Sequence, residues 1–481
     1  MSDISKDSLE KILTQLECHF TWMLLKDDVD PDELEERILE QICFLQSRSK
    51  VRNYNLLAYV KYLNGKREEA LESLQKAKEA AEEEYPGDIE KNSLVTWGNY
   101  AWLYCHMDRL PEAETYVKRV ESVCKQHQSD SPYKMTLPEI YCEKGWAFLK
   151  FGKKYYEKAK ESFEKALQEE PENPECNAGY AITVYRLEEY HERRSAAAGS
   201  SLEPLKRAVT LNPDNAFVLP LLALKLQETH KAKEGEKYIE EALSKHPYDP
   251  YVLRYAAKFY RRKGNVEKPL LCLTKALELT PNSGFLHHQM GLCYRAQYFK
   301  MKKAKARHQV IKENKLLELS IFHFQKVVER KTKFISAYLD LAGMYAEAGQ
   351  LRTAEETYRK VLVMSRLTCA EKQEIHFRFG HFQEFYKKSE LEALKHYLEG
   401  LKIENNSFER NKCKHNLDRL IDKRTKKGLV DALSLGGLAL ICQLNGFKED
   451  AIKFYELALK RDPGNEEFLS AIFNLKLSLQ S

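Results

Sequence analysis

The feature that most constrains this chain is a pattern that returns about every 34 residues. In its clearest copies Trp97, Tyr100, Ala101 and Tyr104 lead to Ala113; Trp146 and Ala147 lead to Ala159, Phe163, Ala166 and Pro171; Leu438 and Ala439 lead to Gly446, Ala451, Tyr455, Ala458 and Pro463. Weaker copies begin near Tyr54, Asn177, Leu219, Leu253, His287, Tyr338 and His376, with Ala70, Ala181, Ala223, Ala257, Gly291, Ala342 and Gly380 at the small-residue positions. Small residues let paired helices approach. Each copy is a helix pair that cannot bury its own apolar face, so neighbours must stack.

Residues of this kind at this spacing match the tetratricopeptide repeat, which predicts an all-α, right-handed superhelical solenoid whose first helices line a concave surface. Repeats are expected at 51–84, 94–127, 140–173, 174–215 with a loop insertion from Glu188 to Ser201, 216–249, 250–283, 284–334 with a basic helical insertion, 335–368, 373–406 and 432–465. Residues 1–50 read as an N-terminal helical cap, 407–431 as a basic connecting helix and 466–481 as a C-terminal helix. The cap carries Leu9, Ile12, Leu13, Leu16 and Phe20 at helical spacing, and farther on it sets Glu33, Arg37 and Gln41 on a polar face opposite Leu34, Ile38 and Ile42.

The net charge is only +5, so any nucleic-acid site must be local. The eleven cysteines form no CxxC pair or ligand-spaced cluster, which points to a reducing compartment. With neither a signal-peptide pattern at Met1 nor an apolar run of membrane-spanning length, a cytoplasmic location is expected.

Local basic character peaks in Tyr251–Lys263. At roughly 100° per residue, Leu253, Ala256, Ala257 and Tyr260 gather on one side, and Tyr251, Arg254, Tyr255, Lys258 and Arg262 on the other, with Arg261 at the flank. Arginines among tyrosines are costly to bury without an anion, whereas guanidinium suits phosphate and aromatic rings suit unstacked bases. This helix therefore reads as the floor of an anion-binding groove. Inward positions of other first helices are expected at Val95, Gly98 and Trp102, at Tyr141, Lys144, Phe148 and Phe151, and at Phe285, His288 and Arg295. Basic runs at Lys300–Lys315 and Lys402–Gly428 add candidate outer rims. Phosphate-loop, metalloprotease, nucleophile-elbow and kinase signatures are absent, so binding is favoured over catalysis. The adjacent His287 and His288 point in different directions on a helix and read as core or groove histidines.

Over nearly its full length the chain resembles the interferon-induced proteins with tetratricopeptide repeats, most closely the fifth member. The resemblance rests on Cys18-His-Phe-Thr-Trp22, Ser93-Leu-Val-Thr-Trp-Gly-Asn-Tyr-Ala-Trp102, Tyr180-Ala-Ile-Thr-Val-Tyr-Arg-Leu187, Tyr251-Val-Leu-Arg-Tyr-Ala-Ala-Lys-Phe-Tyr-Arg-Arg262 and Phe285-Leu-His-His-Gln-Met-Gly-Leu-Cys-Tyr-Arg295. It implies an antiviral innate-immune protein that is no enzyme and that grips single-stranded RNA by its 5′-triphosphate in a basic central channel, without reading sequence. The implied triphosphate contacts fall on Glu33, Gln41, Lys150, Arg186, Tyr251, Arg254, Tyr255 and Arg261, and nucleotide contacts on Tyr156, Phe285, His288, Gln289 and Phe334. Lys412 and Arg419 match backbone contacts farther along the RNA. Two positions depart from the relative. Arg37 stands where a hydroxyl side chain is expected, and joins the triphosphate set if it turns inward; Ser336 replaces an aromatic residue.

No cofactor is required on this reading, although Glu33 beside phosphates invites a bridging Mg²⁺. A monomer is expected, with the convex face left for antiviral signalling proteins. The alternative function is a protein-interaction scaffold, the usual role of such solenoids.

Overall fold

The stacking demanded by the repeats is seen in a computed structural model that describes residues 6–44, 50–191, 201–265, 267–304, 310–331, 333–365 and 367–480. The described residues are helical throughout, apart from turns and one isolated bridge between Ser131 and Lys134. They form two compact units, Met1–Phe259 and Tyr260–Ser481.

In the first unit, helices Lys6–Leu13 and Pro31–Phe44 precede five antiparallel pairs: Lys50–Leu63 with Arg67–Glu84, Leu94–His106 with Leu110–Gln126, Pro138–Phe151 with Tyr156–Glu169, Pro174–His191 with Leu202–Leu211, and Val218–Glu228 with Ala232–Lys245. Helix Pro250–Arg262 follows, its last three residues belonging to the second unit. That unit continues with Glu267–Leu279, Gly284–Ala304 and Val310–Arg330, Ile335–Glu347 and Leu351–Leu362, Cys369–Phe385 and Glu390–Lys402, Phe408–Lys426, Ala432–Leu444 and Lys448–Arg461, and Glu466–Gln480.

A recurring contact holds these pairs together: an aromatic ring seated on a glycine. Phe163 is fully buried against two first helices, where a Cβ at Gly145 would lie 2.8 Å and one at Gly179 2.2 Å from its ring. Phe324 fills the same role at Gly291 (2.6 Å), Tyr397 at Gly380 (2.7 Å) and Phe468 at Gly436 (2.6 Å).

Several expectations are corrected by how the N-terminal segment packs. Rather than only capping the end, residues 13–28 lie along the first helices of three repeats. Trp102 Nε1 donates to the Leu13 carbonyl at 3.0 Å, Asn99 holds His19 through two 3.1 Å bonds, Lys144 reaches Glu17 at 3.1 Å, and the Tyr59 hydroxyl donates to the Leu24 carbonyl at 2.6 Å. A Cβ on Gly98 would meet Cys18 at 2.9 Å. Gly98, expected to line a groove, is thus covered by the segment, and Val95, Phe148 and Phe151, expected there too, are buried.

The polar run from Glu188 also begins as helix rather than loop. Glu188 through His191 continue helix Pro174–His191, because the Glu188 carboxylate is buried against Lys225 and receives the Ser201 backbone amide at 3.1 Å. Residues 192–200 of that expected insertion, and the centre of the basic one, lie outside the described residues. The described part of the basic insertion does extend two 21-residue helices, and its Lys302 is bridged to the buried Glu347.

These contacts set the sign of glycine substitutions. Gly179→Ala gains about 1 kcal/mol of helix propensity, but the overpacking against Phe163 costs about 1–3 kcal/mol, so a net loss of stability is expected. Gly343, on helix Ile335–Glu347 with nothing within 4 Å of an added Cβ, is the control. Gly343→Ala should be stabilising by about 0.8–1 kcal/mol, and denaturant titration of both variants checks the pair.

Candidate nucleic-acid interface

Helix Pro250–Arg262 starts where Asp249 accepts the backbone amides of Tyr251 at 2.7 Å and Val252 at 3.3 Å. The cap fixes the first turn, and the four-residue spacing then packs Tyr251 against Tyr255, ring centroids 4.4 Å apart and planes tilted by 46°. The Arg254 guanidinium lies over both rings, 5.2 Å from Tyr251 and 4.7 Å from Tyr255. Arg186, from helix Pro174–His191, donates one Nη to the Tyr255 hydroxyl and the other to Glu189 at 3.0 Å. Lys258 reaches the same Glu189 at 3.1 Å.

Arg37 belongs to this cluster as well. Burial depresses its pKa, Glu33 opposes that, and the charges of Arg254 and Arg186 depress it further, so it lies within their field. Tyr156 sits in the fields of Arg186 and Arg37. Lys150, 9% exposed, donates to Asn53, and burial together with the Arg52 and Arg37 charges pulls its pKa well below the ordinary lysine value. Burial alone would raise the Tyr255 phenol, but Arg186 and Arg254 outweigh it and hold the group at about 7. Gln41 is half-buried on its helix. Of the residues placed on the polar face by helical geometry, Arg262 ends exposed.

The second unit carries its own group. Arg261 donates to Gln289 at 3.3 Å, and its buried Nε has no hydrogen-bond partner among the described residues. His288 Nε2 lies 3.1 Å from Asp340, which also binds Arg295 and, at 2.8 Å, Arg378. These cations hold the Asp340 carboxyl well below the usual range although its burial acts in the opposite sense. The His288 ring packs 4.7 Å from Phe334, Phe334 lies 5.9 Å from Phe285, and Lys331 covers Phe285 at 3.5 Å. His287 pairs with His323 at 2.9 Å.

At the expected rim, Lys412 rests on the rings of Phe408 at 4.1 Å and Phe377 at 5.0 Å. Arg419 is engaged with both oxygens of the buried Glu384, at 2.7 and 2.8 Å, so its charge is already matched.

Sequence reasoning missed the two carboxylates that organise these clusters. Glu189 stands one helical turn after Arg186, the spacing of an intrahelical ion pair. Asp340 is a lone acid in the apolar run Ala337-Tyr-Leu-Asp-Leu-Ala342, where a buried charge demands partners. Each was a signal, although neither named its partner on another helix.

The arrangement offers several cations and aromatic faces to a multiply charged anion, and its residues come from separate repeats. The model of the tetratricopeptide repeat matches residues 51–126 and again 138–173. The Homo sapiens antiviral innate immune response effector IFIT1 is 49% identical over 459 residues, covering 95% of each chain. The Homo sapiens interferon-induced protein with tetratricopeptide repeats 2 is 41% identical over 467 residues, 96% of this chain and 97% of its own. A human IFIT1 dimer solved with PPP-AAAA matches with a TM-score of 0.83 at 48% identity, covering 95% of this chain and 100% of that one. At this identity and coverage, the chain belongs to the family of interferon-induced proteins with tetratricopeptide repeats.

Proposed function

We propose that this protein is an antiviral effector that binds single-stranded RNA by its 5′-triphosphate, without reading base sequence, and that the Tyr251–Tyr255 pocket of the first unit receives the charged end. One observation carries the reading: Arg37, Arg186, Arg254 and Lys258 share one electrostatic neighbourhood with two tyrosines in ring contact, in a chain 49% identical to IFIT1, which has been solved with PPP-AAAA. Cations withdrawn from water need several negative charges in return, and a triphosphate supplies them. The rings accept any base face.

Lys150, Tyr156 and Gln41 complete the proposed pocket, while Arg261, Phe285, His288, Gln289 and Phe334 are proposed RNA contacts of the second unit. Among the described residues no three metal-ligating side chains converge. A Mg²⁺ ion would therefore come with the triphosphate and find Glu33 as its carboxylate. Of the proposed backbone contacts, Lys412 suits the role better than Arg419, given Glu384. Within the family we place the chain nearest the fifth member, as a binder rather than an enzyme. No helix among the described residues is long and apolar enough to cross a membrane, and we propose a cytoplasmic location.

A scaffold role is the second reading. Leu469, Phe473 and Leu477 form an exposed stripe on the last helix, 51%, 64% and 49% accessible, suited to a protein partner. IFIT1 has been solved as a dimer and as a monomeric mutant, and sedimentation decides whether this chain remains the expected monomer.

Binding of one oligonucleotide with triphosphate, monophosphate or hydroxyl at its 5′ end is the direct test. The triphosphate form is expected to bind tightest, and equal affinities at matched salt would refute the function. Replacing Arg186 by Met removes a charge-assisted contact of about 1.5–3 kcal/mol, so triphosphate affinity should fall roughly 10- to 100-fold. For Arg37→Thr a fall of about tenfold is expected with thermal stability unchanged; no change would return Arg37 to a surface pair with Glu33.

The Tyr255 phenol at about 7 adds a pH test. Its ionisation puts a negative charge beside the phosphates, so the protonated form binds better and affinity should fall as pH rises through about 7 toward about 8.5. Fluorescence titrations across that range should show the decline in the parent protein and a smaller one in Tyr255→Phe, where Lys150 alone of the two still loses charge.

A further inference from the structure

A carboxylate occupies the position between Arg186 and Lys258. Glu189 receives Arg186 at 3.0 Å on Oε2, and on Oε1 it receives Lys258 at 3.1 Å and the Tyr185 hydroxyl at 3.3 Å. Two cations and a hydroxyl converging on one acceptor group is the coordination a phosphate would seek. Tyr185 is 1% exposed, whereas the Glu189 side chain is 34% exposed, so the carboxylate has a route to water and its hydroxyl anchor does not.

We propose that Glu189 is the resident counter-anion of the pocket: in the free protein it holds Arg186 and Lys258, and it competes with RNA 5′ phosphates for them, so that a phosphorylated end must displace it. The proposal rests on this pocket being the site of the RNA 5′ end. Its physical basis is a balance of charge. Without an anion, the half-buried cations would repel one another and remain poorly solvated. One carboxylate neutralises only one of the two, which leaves the seat attractive to a stronger anion. A terminal phosphate brings about −1.5 to −2 charges and more acceptor oxygens, so it can displace the carboxylate toward solvent. A 5′-hydroxyl cannot. Glu189 therefore weakens binding of every phosphorylated end, while a hydroxyl end, which does not claim the two cations, is little affected.

Glu189→Gln keeps the shape and one acceptor oxygen, which can serve Arg186 or Tyr185 but not both, and removes the charge. Calorimetry with inorganic tripolyphosphate, and binding of RNA carrying triphosphate, monophosphate or hydroxyl ends, are the readouts. Affinity for tripolyphosphate and for both phosphorylated RNAs should rise about tenfold, and that for hydroxyl RNA by less than about twofold. In a Lys258→Gln background the gain should shrink to under about threefold, because one of the contested cations is gone. Unchanged or weaker tripolyphosphate binding in Glu189→Gln would overturn the proposal and make Glu189 an orienting residue for Arg186. Should that variant fail to fold, Glu189→Asp draws the charge back from Lys258 and should give a smaller gain of the same sign; a loss overturns the proposal equally. If the parent does not prefer triphosphate to hydroxyl RNA yet tripolyphosphate still gains from Glu189→Gln, the RNA reading falls and the counter-anion stands.

Discussion

Close approach of paired helices, made possible where an aromatic ring meets a glycine, is the contact on which the rest of the structure depends. Phe163 touches Gly145 of its own repeat and Gly179 of the next, so one side chain ties two repeats together. Phe324, Tyr397 and Phe468 repeat the device farther along. Such interiors tolerate little change in volume. That rigidity lets polar side chains on neighbouring first helices keep fixed distances, which a charged pocket requires.

Charge is the second constraint. The first unit withdraws Arg37, Lys150, Arg186, Arg254 and Lys258 partly or wholly from water, and three devices make this tolerable. Tyrosine faces take the Arg254 guanidinium, the Tyr255 hydroxyl and Glu189 take Arg186, and Asn53 takes Lys150. The second unit sets Asp340 against Arg295, Arg378 and His288, and Glu374 takes Arg378 as well, at 2.8 Å. In the first unit's pocket fewer anions than cations are built in, and a pocket so arranged stays receptive to a multiply charged ligand.

The N-terminal segment shows how an identical repeat face can serve two ends. Over the early repeats residues 13–28 fill it, with His19 and Cys18 fully buried against Asn99 and Gly98. Trp102, half-buried, is bonded to that segment, and Phe148 is buried against Tyr155. On helix Pro250–Arg262 the corresponding face carries Tyr251, Arg254 and Lys258, all of them only partly buried.

Period, helix class and the alternation of apolar with basic and aromatic residues on Tyr251–Lys263 were determined by the sequence alone, because helical geometry relates residues three and four apart without reference to any other part of the chain. The small residues at Gly291 and Gly380 likewise announced close packing. The partners across long separations were decided only by tertiary structure: Glu189 with Lys258, Asp340 with Arg378, Cys18 with Gly98, Glu188 with Lys225. Arg37 makes the distinction plain. Its spacing from Glu33 and Gln41 was legible in the sequence, but its place in the field of Arg186 and Arg254 depends on how helix Pro31–Phe44 packs. Local periodicity orients a side chain on its own helix; what it meets is set by the stacking of repeats, and that in turn follows from which ring fits over which glycine.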